Sequence, residues 1–199
     1  MTHTNVDAIL CILWTVTYAL ALIGTKKYKY PLIPPITQMI IASLEFSVLF
    51  QVVKDKILWQ NHVFVSYLFW TFLEIAIIVS QIRYGFIRKR YVALYLLATA
   101  SITIILCYLV AYKGHQLFFA LFNTLVGEII WLIHVRKKEY PINTLVLVMF
   151  LAKFIADAMS VPVYFGRGSW VESLMGVCIP VIDFAFVHVY FKSAADGEN

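Results

Sequence analysis

Apolar residues in this chain fall into seven long runs, near residues 6–24, 32–53, 63–82, 91–112, 115–135, 142–164 and 169–191, with short polar stretches between them. Each run is about 20 residues long, the length an α-helix needs to cross a hydrocarbon layer about 30 Å thick. The runs are too long and too continuously apolar for the alternating strands of a barrel. In lipid, moreover, backbone groups must be satisfied within their own segment. The pattern therefore predicts an all-α integral membrane bundle of seven transmembrane helices, a single transmembrane domain over 1–199. Because the joining stretches are short, with only Lys113 and Gly114 between the fourth and fifth runs, consecutive helices are predicted to pack as antiparallel neighbours.

Composition agrees with a chain that lies almost wholly in lipid. It is 62% hydrophobic and 14% charged, whereas a soluble domain is roughly 25% charged. The net charge of +5 does not point to nucleic acid, because the basic residues sit in the short loops. The first, third and fifth loops hold ten of them, including Lys26, Lys27, Lys29, Arg83, Arg88 and Arg136, and the even loops hold four: Lys54, Lys56, Lys113 and Arg167. By the positive-inside rule the odd loops are cytoplasmic, with the N-terminus outside and the C-terminus, carrying Lys192, inside. The first run begins at Val6 with no preceding basic region and is long enough to span, so a cleavable signal peptide is not expected. The prolines Pro34, Pro35, Pro162 and Pro180 do not fall at matched positions of two halves, which argues against an inverted-repeat transporter. Cys11, Cys107 and Cys178 all lie in apolar runs without CxxC spacing or neighbouring histidines, and read as small core residues; no metal is expected.

Six ionisable residues interrupt the runs: Glu45, Glu74, Glu128, Lys153, Asp157 and Asp183. Each costs a few kcal/mol at such depth, so each calls for a reason. Lys153 and Asp157 are one helical turn apart and can pair, which reads as a structural ion pair. Glu45 and Glu74 lie near the middles of the second and third runs with no basic residue within a turn. Removal from water disfavours a carboxylate, so such a group is expected to keep its proton and to be able to donate it. Asp183, on the seventh run, falls at a similar depth, about 7 Å from Glu45 along the membrane normal at about 1.5 Å per residue. For Glu45, Asp183 and Glu74 the choice is between chemistry and interhelical hydrogen-bond glue. Glu128 belongs to a polar stripe with Asn123, Gly127, Trp131 and His134, and reads more readily as glue or as a contact to Lys153.

Aromatic residues accompany the acids. Phe46 and Phe50 follow Glu45, while Tyr67 and Trp70 precede Glu74 at spacings that share a helical face. Aromatic faces stabilise cations. Most of the chain's aromatics have the plainer reading of lipid-facing or interfacial anchors, as for Trp59, Tyr140 and Trp170 near the run ends. Signatures of other chemistries do not occur: there is no GxxxxGK(S/T), GxSxG or HExxH, nor any paired-aspartate run such as DDxxD or DxDD.

Four blocks carry a family likeness across most of the chain: PLIPPITQMIIASLEFSVLF around Glu45, WTFLEIAIIVSQIRYG with Trp70 and Glu74, FNTLVGEIIWLIHVRKK in the fifth run, and CIPVIDFAFVHVYF around Asp183. In these the chain resembles the membrane-integral terpene cyclases of fungal meroterpenoid and indole-diterpene pathways and their bacterial relatives that act on prenylated indoles. The resemblance implies an isomerase or lyase of terpenoid biosynthesis in which Glu45 and Asp183 form the catalytic pair. Lys153 matches a lysine of the family's sixth span. Leu44 stands where the family carries a tryptophan, Glu74 where it carries an aspartate, and Glu128 and Asp157 fall outside its pattern.

These readings together lead to one expectation. A lipophilic prenylated molecule enters the bundle from the membrane, and Glu45 as general acid protonates its epoxide or alkene. The cation cyclises in a water-free cavity lined by Phe46, Tyr67, Trp70, Asn123 and Phe186, while Asp183 orients Glu45 or takes up the final proton. No cofactor is needed. A prenyltransferase and an epoxidase are the expected upstream enzymes, and the expected location is the cell membrane in a bacterium or the endoplasmic reticulum in a fungus. The rival from a different class is a seven-helix sensor or proton-coupled transporter without catalytic activity, in which the same carboxyls relay protons.

Overall fold

A computed structural model describes residues 3–54, 62–111, 116–136, 143–167 and 169–197. Among these it contains seven α-helices, a one-turn 3₁₀ helix at Lys89–Tyr91 and no strand. The helices are α1 (His3–Tyr28), α2 (Pro35–Lys54), α3 (His62–Arg83), α4 (Val92–Ala111), α5 (Gln116–Arg136), α6 (Thr144–Arg167) and α7 (Trp170–Gly197). Six of them are long and apolar enough to cross a membrane, so the chain is a multi-pass membrane protein; in α2 the apolar part is the shorter stretch Pro35–Phe50.

Local sequence explains where these helices start and stop. Asn143 caps α6, its side-chain oxygen accepting from the Val146 amide at 3.1 Å. Ser169 and Glu172 form a capping box on α7, each side chain accepting from the other's backbone N–H. The α3 helix ends in a Schellman turn: Phe86 N–H reaches Gln81 O and Gly85 N–H reaches Ile82 O, with Gly85 at φ 79°, where a residue without Cβ is favoured. Within the helices, hydroxyls that would be stranded in lipid bond back to the carbonyl four residues earlier, as Thr17 does to Leu13, Ser80 to Ala76 and Thr124 to Ala120.

Neighbour relations differ from the sequence expectation. The closely packed pairs are α1·α6, α6·α7, α7·α5, α5·α2, α2·α3 and α3·α1, with α4 packed on α2 and α5. The pairs α1/α2, α3/α4 and α5/α6 are not among them. The physical reason lies in the odd loops. A chain spans up to about 3.3 Å per residue, and helices pack 8–10 Å apart, so a connection such as residues 29–34 can pass over one helix to reach the next. The result is a closed ring of six helices in the order α1, α3, α2, α5, α7, α6, with α4 outside it, turning Leu94, Leu97, Ile104 and Tyr108 outward.

Polar contacts define one end of the ring. Gln81 donates to Ile33 O at 2.7 Å, Tyr95 to Pro35 O at 2.9 Å and Tyr190 to Asn143 O at 2.6 Å, while the Tyr30 hydroxyl meets His134 Nε2 at 2.8 Å. These bonds tie together the first loop, the ends of α3, α5 and α7 and the starts of α4 and α6. The basic clusters of the described odd loops therefore share one face of the bundle. Just inside that face, Trp131, Phe150, Phe186 and Tyr190 stack against one another with ring centroids 5.4–6.5 Å apart. They are all buried and pack inside the ring.

Candidate functional site

Toward the opposite end the same six helices part around a cavity of about 300 Å³, to which α4 contributes nothing. One helical face of α1 supplies Trp14 and Tyr18, and one face of α5 supplies Leu117, Leu121, Thr124 and Glu128. Leu44 and Glu45 come from α2, Tyr67 and Trp70 from α3, Asp157 and Ser160 from α6. In the ring order α2 and α6 face each other, so Glu45 and Asp157 stand on opposing walls.

The α2 wall carries an acid without a cation. Glu45 is 8% exposed; its Oε1 accepts a hydrogen bond from the Tyr18 hydroxyl at 3.1 Å, and its Oε2 has no hydrogen-bond partner among the described residues. Aromatic rings surround it. Trp70 packs against Tyr67 at 5.0 Å and Tyr18 at 6.3 Å, and Trp14 lies 5.7 Å from Tyr18. The Trp70 indole N–H donates to Thr15 Oγ1 at 2.9 Å, which fixes the ring and leaves its face to the cavity. Glu74 sits one turn beyond Trp70 on α3, near Tyr18 and Glu45, but it is fully buried and is not among the lining residues. Neither of its carboxyl oxygens meets a hydrogen-bond partner among the described residues.

The opposing wall is built on a cation. Lys153 lies fully buried beneath the cavity and gathers three carboxyls: Asp157 at 2.9 Å, Glu128 at 3.0 Å, and Asp183 in the tightest contact of the three. The rings of Trp14, Phe186 and Trp131 lie 5.4, 5.8 and 5.9 Å from its ammonium group. One ammonium cannot neutralise three carboxylates, and an uncompensated charge is expensive away from water, so such a cluster has to hold protons to be neutral. Two of its acids, Glu128 and Asp157, line the cavity. Asp183 is fully buried behind Lys153 and does not.

Several sequence-predicted residues stand elsewhere. A helix turns about 100° per residue, so Phe46, next to Glu45, points to another face of α2 and lines outward grooves with Ile75 and Leu96 or Phe50. Phe186 belongs to the packed aromatic layer under Lys153. Asn123 spends its amide on Ile40 O at 2.9 Å, joining α5 to α2, as Thr37 does through Gly127 O at 3.3 Å. Lys153 and Asp157 do pair, but within a four-group cluster on three helices and not as an isolated pair. Glu45 and Asp183 do not meet; Lys153 and its cavity-facing acids stand between the cavity and Asp183. Trp59 and Tyr140 lie outside the described residues.

Tyr18 and Trp14 went unrecognised in the sequence, although their four-residue spacing in the middle of an apolar run is the signal that finds a shared helical face. Among the described residues no group of three or more His, Cys, Asp or Glu is arranged to hold a metal ion. No protein-family model matches the chain, and no curated protein and no solved structure matches it either.

Proposed function

We propose that this protein is a membrane-embedded terpene cyclase, and that Glu45 starts the reaction by protonating an epoxide or alkene of a prenyl chain held in the aromatic cavity. The observation that carries the reading is an acid with no cation beside it among the described residues and one oxygen without a partner among them, facing a cavity walled by Trp14, Tyr67 and Trp70. Apolar surroundings favour the neutral acid over its anion, and the rings present their negative faces to a developing carbocation. Tyr18 donates to Glu45 and steadies the carboxylate once the proton has left.

The second half of the reaction belongs to the opposite wall. Asp157, paired with Lys153, takes a proton from the carbon next to the final cation, leaving an alkene; one proton has then passed from Glu45 to Asp157, and exchange with water after the product leaves restores both groups. Asp183, which the family resemblance makes the second catalytic acid, acts here through Lys153 by positioning it. No cofactor enters this chemistry. The cavity is at the small end of the range of roughly 300–1,000 Å³ for ligand sites, which suits one short prenyl unit, with the rest of the molecule left in lipid. A prenyl transfer, and an epoxidation if an epoxide is used, must come before it.

In this reading all seven helices cross the membrane, α2 included, with the basic odd-loop face cytoplasmic and the N-terminus outside; the cavity then occupies the outer half. The membrane is the cell membrane of a bacterium or the endoplasmic reticulum of a fungus. One observation favours the rival proton-relay reading: three carboxyl groups gather on Lys153, and they lead from the cavity, at Glu128 and Asp157, to the buried Asp183. The test is to supply the protein in membranes with epoxidised and unepoxidised prenyl arenes and compare it with Glu45→Gln. Cyclised product from the parent and none from the variant supports the proposal. No product from the parent across such a panel moves the reading to a relay.

A further inference from the structure

The charge distribution around the cavity is lopsided. Among the described residues three carboxyl groups line it, Glu45, Glu128 and Asp157, and no lysine, arginine or histidine does. Lys153 serves two of those acids from below, yet is itself fully buried. Glu45 is more than nine-tenths buried, and the oxygen it does not share with Tyr18 has no partner among the described residues. A second ammonium group in the cavity would find what Lys153 has already found one layer down: carboxyl oxygens at hydrogen-bond range and the face of Trp14, here joined by Tyr67 and Trp70.

We infer that the cavity is a binding site for lipophilic amines, with the protonated nitrogen held between Glu45 on α2 and the Glu128–Asp157 pair on α5 and α6, and the hydrocarbon tail against Leu117 and Leu121. The inference goes beyond the cyclase reading and does not depend on it, since it rests on the lining groups alone. An ammonium gains charge-assisted hydrogen bonds there, and its aliphatic substituents fill an apolar space. A neutral molecule of the same shape would fill the space but leave the acids unpartnered. An anion would meet three acids and, among the described lining residues, no cation.

Geranyldimethylamine, protonated in neutral water, and its uncharged isostere with carbon in place of nitrogen form a matched pair of probes. Both are titrated calorimetrically against the full chain in lipid nanodiscs, with empty nanodiscs subtracting partition into lipid. The expected result is that the amine binds at least tenfold tighter than the isostere, and that Glu45→Gln and Asp157→Asn each cut this preference several-fold. Should Asp157→Asn fail to fold, Thr124→Leu, which narrows the cavity without changing charge, should weaken both probes together and keep their ratio. Equal binding of amine and isostere, or a preference that Glu45→Gln leaves intact, overturns the inference. Amine preference in a protein that cyclises nothing supports the inference while removing the cyclase reading, and cyclisation without amine preference does the opposite.

Discussion

The two ends of the helix ring contain the same kinds of residue and do opposite things with them. At the basic end Trp131, Phe150, Phe186 and Tyr190 are buried against one another, with ring centroids 5.4–6.5 Å apart. At the other end Trp14, Tyr18, Tyr67 and Trp70 stand around a space of about 300 Å³. The acids divide in the same way: Asp183 is sealed against Lys153, whereas Glu45 keeps an unpartnered oxygen at the cavity. Aromatic content and intramembrane charge are common to both ends and do not tell them apart. What sets the proposed site apart is an acid that faces a cavity and has no counter-ion among the described residues.

The strongest test of that contrast removes the cavity acid. Glu45→Gln keeps an oxygen to accept from Tyr18 but has no proton to give, and turnover measured by product chromatography should fall by about 10²–10⁴-fold, the typical worth of a general acid. Next comes the buried cation. Lys153→Met leaves three clustered carboxyls without a counter-ion, and breaking a buried charge cluster from one side costs about 3–5 kcal/mol, readable as a lower denaturant midpoint in lipid discs. Asp157→Asn and Asp183→Asn then sharpen the division between the two acids of that cluster. The former should alter the mixture of alkene isomers, whereas the latter should lower stability and leave the mixture unchanged; the reverse pattern would return Asp183 to the catalytic pair. The smallest effect belongs to Tyr18→Phe, which removes one hydrogen bond to Glu45, worth about 0.5–1.5 kcal/mol, and should slow turnover only a few-fold.

Helix positions were legible in the sequence because a lipid-solvated helix must be apolar along its whole length: the runs at 91–112 and 115–135 fall within one residue of α4 (Val92–Ala111) and α5 (Gln116–Arg136). Helix neighbours were not. The packing of α1 against α3 and α6 depends on side-chain fit across the ring, and a six-residue connection such as 29–34 permits more than one arrangement. Within the site, the intramembrane charges announced themselves by their cost, and the four-residue spacing of Lys153 and Asp157 showed their pairing. The contact of Glu128 to Lys153 was one of the two readings its place in a polar stripe offered; that Asp183 joins the same ammonium could not be read, because it depends on the relative rotation of α6 and α7. For the same reason Phe46 looked like a companion of Glu45 although the turn of the helix carries it to another face, and Tyr18, whose hydroxyl donates to Glu45, was not singled out.

The account turns on whether the Glu45 carboxyl carries its proton before substrate arrives. Infrared difference spectroscopy of the parent against Glu45→Gln, in lipid at neutral pH, reads this directly. The account predicts that the variant loses a protonated carboxylic acid C=O band, one that shifts in deuterated water when the parent is exchanged. Loss of a carboxylate stretching pair instead would mean that Glu45 is an anion in the resting protein, with no proton to give to a prenyl chain.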